Sequence, residues 1–330
     1  MLRSIIIPLD GSELADKAVA VGASLARQHG IALQLIAVHP PAHGLSSVRL
    51  RPHGKDFAGL REAREEELAT HLSRWRTALG GTGLVAVTTT LLEGSDSVGE
   101  QLVRHLQNSP DSLVVLTSHG RGAIGRLWYG SVADSLIRHA DPACLVLHTG
   151  GGMRRRSPAH FDTLFLPLDG SPHAEWIVDP ALMLAAGRPD PEVVLFHCVV
   201  PLRWPGPRLD PEDVGWTDVT IDERGRQAGR RLSAVADQVR AHGYRTRTLI
   251  RVSPHPAGAI LAAAAEVGAD VIAMALRQRP DGTRTIPGSV AKRVIHYATI
   301  PVVVVHSPAI VSGSYSAASD AAQLAATVTS

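Results

Sequence analysis

Apolar positions along the chain keep two alternating rhythms. Short unbroken runs at Ser4–Leu9, Ile31–Val38, Leu113–Leu116 and Ala143–His148 read as strands covered on both faces. Between them, apolar residues fall three and four apart. In Glu13–His29 the stripe is Ala18, Val21, Gly22, Leu25 and Ala26; Asp10-Gly11-Ser12 precedes it and Gly30 stops it, so the spacing predicts a helix. Asp56–Leu79 is predicted as a long charged amphipathic helix, Leu84–Leu92 as a Thr/Val-rich strand, and Asp96–Gln107 and Ser131–His139 as helices. Pro40–Lys55 is Pro/Gly/His-rich loop.

The rhythm then starts again. Ile5-Ile6-Ile7-Pro8-Leu9-Asp10-Gly11-Ser12 returns as Leu164-Phe165-Leu166-Pro167-Leu168-Asp169-Gly170-Ser171, 159 positions on (10 to 169). Gly130-Ser131-Val132-Ala133 returns at Gly288-Ser289-Val290-Ala291, and Pro142 before Ala143-Cys144-Leu145-Val146-Leu147 returns as Pro301 before Val302-Val303-Val304-Val305. An offset of 158 or 159 kept by three landmarks in order means two copies of one domain, with a period too long for solenoid or propeller units of roughly 20–50 residues. The second copy is predicted as Leu164–Leu168, a helix from Pro172, Glu192–Val199, a helix from Asp222, Tyr244–Arg251, Pro256–Val267, Val271–Ala275, Ser289–His296 and Pro301–His306. Pro180 lies well inside the first of these helices and predicts a kink or break. The domains are set at 1–149 and 159–307, joined by a linker over 150–158. Residues 308–330 are a Ser/Ala-rich tail of disordered composition, with Ala321–Ala326 its one helix-compatible stretch. Strands alternating with helices predict an α/β fold: two tandem Rossmann-like units, each a doubly wound, five-stranded parallel sheet.

Composition narrows the function classes. The net charge is +2, 45% of residues are hydrophobic and 4% aromatic, an ordinary soluble α/β balance. The densest basic run, Arg154-Arg155-Arg156, falls in the linker, and scattered arginines give no basic face for nucleic acid. No apolar run approaches the roughly 20 residues of a membrane span, and strand-like sequence within about three residues of the start leaves no room for a signal peptide. Cys144 and Cys198 lie in apolar runs without a C-x-x-C motif; a cytoplasmic protein with reduced thiols is expected.

Ligands of doubly wound sheets bind at the carboxyl ends of the strands. Asp10 ends the first strand and Thr117-Ser118-His119-Gly120 the fourth. Nine residues separate Gly120 from Gly130, and Gly130-Ser131 opens a helix in which Asp134 is placed to complete a capping box with Ser131. Backbone N–H groups at such a start attract phosphate. Gly120–Gly125 spells G-x-G-x-x-G, but after the fourth strand rather than the first, and Arg126-Leu127 stands where a P-loop needs Lys-Ser/Thr. His39, His43 and His53 share a loop-rich region with no cysteine or carboxylate at metal spacing, so no metal site is expected. The 16 histidines define no Ser-His-Asp order.

Ile-Pro-Leu-Asp-Gly-Ser, Ser-His-Gly-Arg-Gly followed at that spacing by Gly-Ser, and the closing Pro-x-x-Val-Leu/Val strand resemble the universal stress protein family as a tandem pair, over about residues 1–148 and 160–306. The resemblance implies a cytoplasmic stress-response module that binds ATP, optionally with Mg²⁺. By position it implies Asp10 at the base or ribose, Pro8 against the sugar, the Val38 backbone at the adenine edge, and Thr117, Ser118, His119, Gly120, Arg121, Gly122, Gly130, Ser131 and Val132 around ribose and phosphates. The family's ATP-binding branch carries Gly-x-x-Gly where this chain has Thr117 and Gly120; a β-branched Thr tolerates neither a positive φ nor close backbone passage. The second copy has Ala275 and Gln278 at those two positions and Lys292 in place of Asp134, and reads as degenerate. The resemblance further implies an intrachain pseudo-dimer through the last strands; a homodimer and an unnamed protein partner are compatible with it. The leading function is a nucleotide-binding regulatory protein. The alternative is an interaction module of the same fold that binds no nucleotide. An enzyme, whether a slow ATPase or a dehydrogenase, is not expected, since no base or lysine stands in the loop.

Overall fold

The computed structural model describes residues 2–39, 57–93, 97–118, 130–148, 160–201, 214–277 and 288–307. The Pro40–Lys55 loop, the linker with its arginine run, the 120–125 glycine stretch and the 308–330 tail lie outside the described residues.

The first half runs β1 (Ser4–Leu9), α1 (Glu13–His29), β2 (Ala32–His39), α2 (Phe57–Leu79), β3 (Val87–Glu93), α3 (Val98–Leu106), β4 (Ser112–Ser118), α4 (Ser131–His139) and β5 (Ala143–His148). The second runs β6 (Thr163–Pro167), α5 (Pro172–Glu175), α6 (Val178–Leu184), β7 (Glu192–Val199), α7 (Val214–Ala241), β8 (Arg245–Val252), α8 (Pro256–Glu266), β9 (Val271–Arg277), α9 (Ser289–Tyr297) and β10 (Val302–Ser307). Five strands in each half pair parallel, and β5 meets β10 antiparallel, with Val302 opposite Val146, Val303 opposite Leu145 and Val304 opposite Cys144. The two five-stranded sheets are therefore one ten-stranded sheet, in the order β3-β2-β1-β4-β5-β10-β9-β6-β7-β8, and the last strands pair as the resemblance implied.

The apolar runs supply side chains to both faces. Ile5, Ile7, Leu33 and Leu35 join α1 and α2 on one side; Ile6, Ile36, Val114 and Val146 join α3 and α4 on the other. Both cores continue through the seam, where Val303 and Val305 belong to the first and Val302 and Val304 to the second. Ser12 caps α1 by accepting the Ala15 N–H at 3.2 Å, and Gly30 ends it at φ 62. Gly22 lets α1 settle on β1, since a Cβ there would come within 2.5 Å of Ile7 Cδ1. The matching helix of the second half is broken into α5 and α6. Pro180 stands in the first turn of α6, where its missing N–H costs nothing, while its ring forbids a continuous turn back to Trp176. The break leaves Trp176 46% exposed. Among the described residues no helix is long and apolar enough to cross a membrane.

Polar contacts lock the halves with local symmetry. His148 Nε2 donates to the Ile295 carbonyl of α9 at 2.5 Å, and His306 Nε2 donates to the Ile137 carbonyl of α4 at 3.0 Å. Gln28 donates to the Leu184 and Ala186 carbonyls at 3.1 and 2.8 Å. Burial pushes His148 below its ordinary 6.5, against the opposing pull of bonds to Ile295 and Ile300, with His296 adding repulsion. Burial lowers His29 as well, against its bond to Met183. In the unfolded chain these imidazoles protonate near 6.5 while the folded protein resists, so the unfolded state binds more protons below that pH. Stability is therefore full above about pH 6.5 and falls as the pH drops through the lowered values. Melting followed from pH 8 to pH 5 should show a plateau and then a decline. His148→Gln, which keeps a donor for Ile295, should flatten the decline; an unchanged profile in that variant would remove His148 as its cause.

Candidate functional site

The carboxyl ends of β2, β1 and β4 lie side by side, with Pro8 opposite Ile36 and Leu9 opposite Ala37. Asp10 follows β1 and is exposed. Its Oδ1 accepts the Ser12 N–H at 2.9 Å, a turn that swings the chain into α1 and needs Gly11 at φ 81. Pro8 is half-buried and Val38 is buried at the end of β2. Thr117 is half-buried inside β4, opposite Leu147, and Ser118 is buried beside it. Thr117 thus sits in extended backbone, where a β-branched residue is at ease, and no positive φ is asked of it.

Gly130 is the N-cap of α4, with φ −54 and ψ 145 and no side-chain cap. Ser131 is consequently the first helical residue, exposed, and Val132 is half-buried against the core. The capping box expected between Ser131 and Asp134 does not form. With Gly130 as cap, Asp134 stands one position too far into the helix, and its carboxylate accepts from Arg138 Nε at 2.7 Å instead. The pair that does form a capping box is Ser97 with Glu100 at the head of α3. The structure thus gathers Pro8, Asp10, Val38, Thr117 and Ser118 along one sheet edge and sets Gly130, Ser131 and Val132 at the head of the helix after β4. His119, Gly120, Arg121 and Gly122 lie outside the described residues.

Sequence reasoning missed Arg64. From α2 its Nη2 donates to the Asp10 carbonyl at 2.7 Å, and its Nη1 pairs with Glu67 at 2.6 Å. Arg231 of α7 makes a related contact in the second half, donating to the carbonyl of Gly170, one residue past the Asp10 equivalent. The signal was an arginine in each long helix, hidden because the two stand at different depths, Arg64 in the second turn of α2 and Arg231 near the middle of α7. α1 and α2 are further tied at Asp16, whose Oδ1 accepts from His71 Nε2 at 2.8 Å and Trp75 Nε1 at 2.9 Å.

The second half builds a different site from the same parts. Asp169 Oδ1 accepts from the Ser171 N–H at 2.9 Å and hydroxyl at 2.5 Å, and its Oδ2 faces Arg277 at 3.8 Å. Ala275 occupies the position of Thr117; Gln278 lies outside the described residues. Burial raises the Glu175 carboxyl, Arg231 opposing and Asp169 adding to the rise. Gly288 caps α9 as Gly130 caps α4, but the first turn of α9 carries no acid. Between these groups opens a cleft of about 610 Å³ whose walls include Phe196, Cys198, Ile260, Met274, Leu276 and Val290. Burial raises the Cys198 thiol, a bond to Ser253 opposing; complete burial pushes Cys144 up to about 12. His39 is buried, with Nε2 donating to the Arg61 carbonyl at 3.0 Å, while His43 and His53 lie outside the described residues. Among the described residues no three His, Cys, Asp or Glu are grouped to hold a metal ion.

The family model described as the universal stress protein family matches residues 1–148 and 160–306. Universal stress protein Rv1996 of Mycobacterium tuberculosis is 28% identical over 324 residues, covering 92% of this chain and 95% of that protein. Universal stress protein Rv2005c of the same organism is 25% identical over 315 residues, covering 92% and 96%. The crystal structure of a universal stress protein from Archaeoglobus fulgidus DSM 4304 superposes with a TM-score of 0.61 at 16% identity, covering 92% of this chain and 98% of that one. Protein PA1789 of Pseudomonas aeruginosa PAO1, described as functionally unknown, gives 0.57 at 15% identity, covering 93% of both chains. At these identities the structural likeness is one of fold.

Proposed function

This chain belongs to the universal stress protein family, and from that footing we propose that its first half holds ATP or a close relative as a regulatory ligand, whose occupancy biases a surface recognised by a protein partner. One observation carries the reading: α4 opens on Gly130, with no side-chain cap bond to its first turn among the described residues. Ser131 is exposed there, and the acid of that turn, Asp134, is neutralised by Arg138. First-turn N–H groups and the helix dipole then suit phosphate oxygens. Asp10 would meet ribose or base, Pro8 the sugar and the Val38 backbone the adenine edge. Thr117, Ser118 and residues 119–122 would wrap the ribose and phosphates. Mg²⁺, where it accompanies the nucleotide, would neutralise phosphate charge. The nucleotide is a signal here rather than a substrate, because Arg126-Leu127 replaces the lysine and hydroxyl of a phosphate-transferring loop. The unpaired Cys144 and Cys198 fit a reducing, cytoplasmic setting.

The alternative, an interaction module without nucleotide, rests on Thr117 in the place of a glycine, and the strand conformation of Thr117 removes half of that objection. Acid extraction of the purified protein, nucleotide chromatography, and melting with and without ATP and Mg²⁺ decide between them. ATP at a hundred times its dissociation constant should add about 2.7 kcal/mol. Gly120→Val should abolish that gain and Gln278→Val should leave it. No co-purifying nucleotide and no shift with ATP would transfer the protein to the alternative.

A further inference from the structure

The cleft of the second half is a ligand-sized space of about 610 Å³ that joins two chemistries. Phe196, Ile260, Met274, Leu276 and Val290 form its apolar walls. Arg277 and Gly288, the N-cap of α9, line the same space. Gly288 brings no side-chain cap bond, and the first turn of α9 carries no acid, so its N–H groups and helix dipole favour an anion. The Arg277 side chain is 61% exposed and 3.8 Å from Asp169, an ionic contact too long for a hydrogen bond. Its planar fork of donors suits a carboxylate or a phosphate.

These walls depart from those of the first half position by position. The strands pair in equivalent registers, Thr117 and Ser118 with Leu147 and His148 in one half, Ala275 and Leu276 with Val305 and His306 in the other. The hydroxyl pair assigned to ribose and phosphates in the first half is thereby an apolar pair in the second. Asp169 is also taken up locally: its Oδ1 accepts both the N–H and the hydroxyl of Ser171, whereas Asp10 Oδ1 accepts the Ser12 N–H. Sugar hydroxyls against the Ala275-Leu276 wall would go without partners, at a cost, while a hydrocarbon is favoured there.

We propose that the second half binds an amphipathic acid, a small molecule with an aliphatic body and a single anionic head. The body lies against Phe196, Ile260, Met274 and Leu276. The head, a carboxylate or a phosphate monoester, meets Arg277 and the first-turn N–H groups of α9. The two halves then take ligands of different classes at equivalent places in the fold. The second site makes no use of the nucleotide assigned to the first half.

Cys198 reports occupancy in the full chain. It lines the cleft and is half-buried, whereas Cys144 is 2% exposed in the core and signals unfolding if it reacts. Labelling of Cys198 by N-ethylmaleimide, read by intact mass and peptide mapping, is followed as hexanoate, octanoate, decanoate or decyl phosphate is added. Each should slow the labelling to a plateau while Cys144 stays unmodified, and the tighter of decanoate and decyl phosphate identifies the head. From hexanoate to decanoate each added methylene should tighten binding about fourfold. Arg277→Gln should weaken decanoate binding about tenfold, the loss of one charge-assisted contact, and uncharged decanol should bind the native chain more weakly than decanoate by at least about that factor. Saturating ATP should leave the effect of decanoate as it was, so failure of the nucleotide reading would leave this site standing. No slowing by any of the four acids would overturn the proposal. Equal affinities for hexanoate and decanoate, or for the native and Arg277→Gln chains, would do the same. Displacement of decanoate by ATP would overturn it too, by making the cleft a nucleotide site.

Discussion

A chain carrying Val303→Asp should lose about 3–5 kcal/mol of stability, the cost of an unpaired charge at a closed site. Val303 is 1% exposed. It stands opposite Leu145 across the antiparallel seam and opposite Ala273 on the parallel side, so no rotamer brings a carboxylate to water without parting strands. Urea unfolding should show a sharply lowered midpoint, and scattering should show an expanded particle if the halves come apart. Val85→Asp is the matched control: at 69% exposed it should change stability by less than about 0.5 kcal/mol. A Val303 variant as stable as that control would mean that the seam does not hold the molecule together.

Phe165→Ala should cost a similar amount, about 3–5 kcal/mol. Phe165 is fully buried in the middle of β6, with its ring centroid 5.3 Å from that of Phe196 at a tilt of 36°. Truncation removes the larger part of that contact and leaves a hole that close-packed neighbours fill only in part. Phe165→Leu keeps most of the volume and should cost under about 1.5 kcal/mol. Denaturant midpoints of the two variants give the comparison, and an Ala variant no worse than the Leu variant would refute tight packing there.

Much of this was legible in the chain itself. The repeat offset announced two equivalent halves, and apolar final runs with bare edges called for a partner strand, which β5 and β10 supply to each other. α1 and α4 have the bounds their stripes predicted, and Pro180 foretold the break between α5 and α6. Other features could not be read. α7 begins at Val214 rather than Asp222, since a continuous helix overrides the weak propensities of Gly215, Thr217, Val219 and Thr220. β3 begins at Val87 rather than Leu84, because Gly81 and Gly83 at φ 74 and 77 spend the preceding residues on a turn. At the site, strand ends and helix heads follow from periodicity, so Asp10, Thr117 and Gly130 could be placed. Arg64 and Arg231 could not, because they reach the turn through space from different depths of their helices and so share no repeat offset. The capping box failed by a single residue, a margin that periodicity does not resolve.

The antiparallel meeting of β5 and β10 also fixes where the two sites point. With all strands of one half running against those of the other, the Asp10 edge and the Asp169 edge face opposite poles of the molecule. Whatever binds at one pole cannot touch what binds at the other, and a receptor that grips one leaves its twin in open solution. The halves meet at that short ladder, in the cores packed on both of its faces, and through His148, His306 and Gln28, so the clasp is held by side chains as well as by backbone.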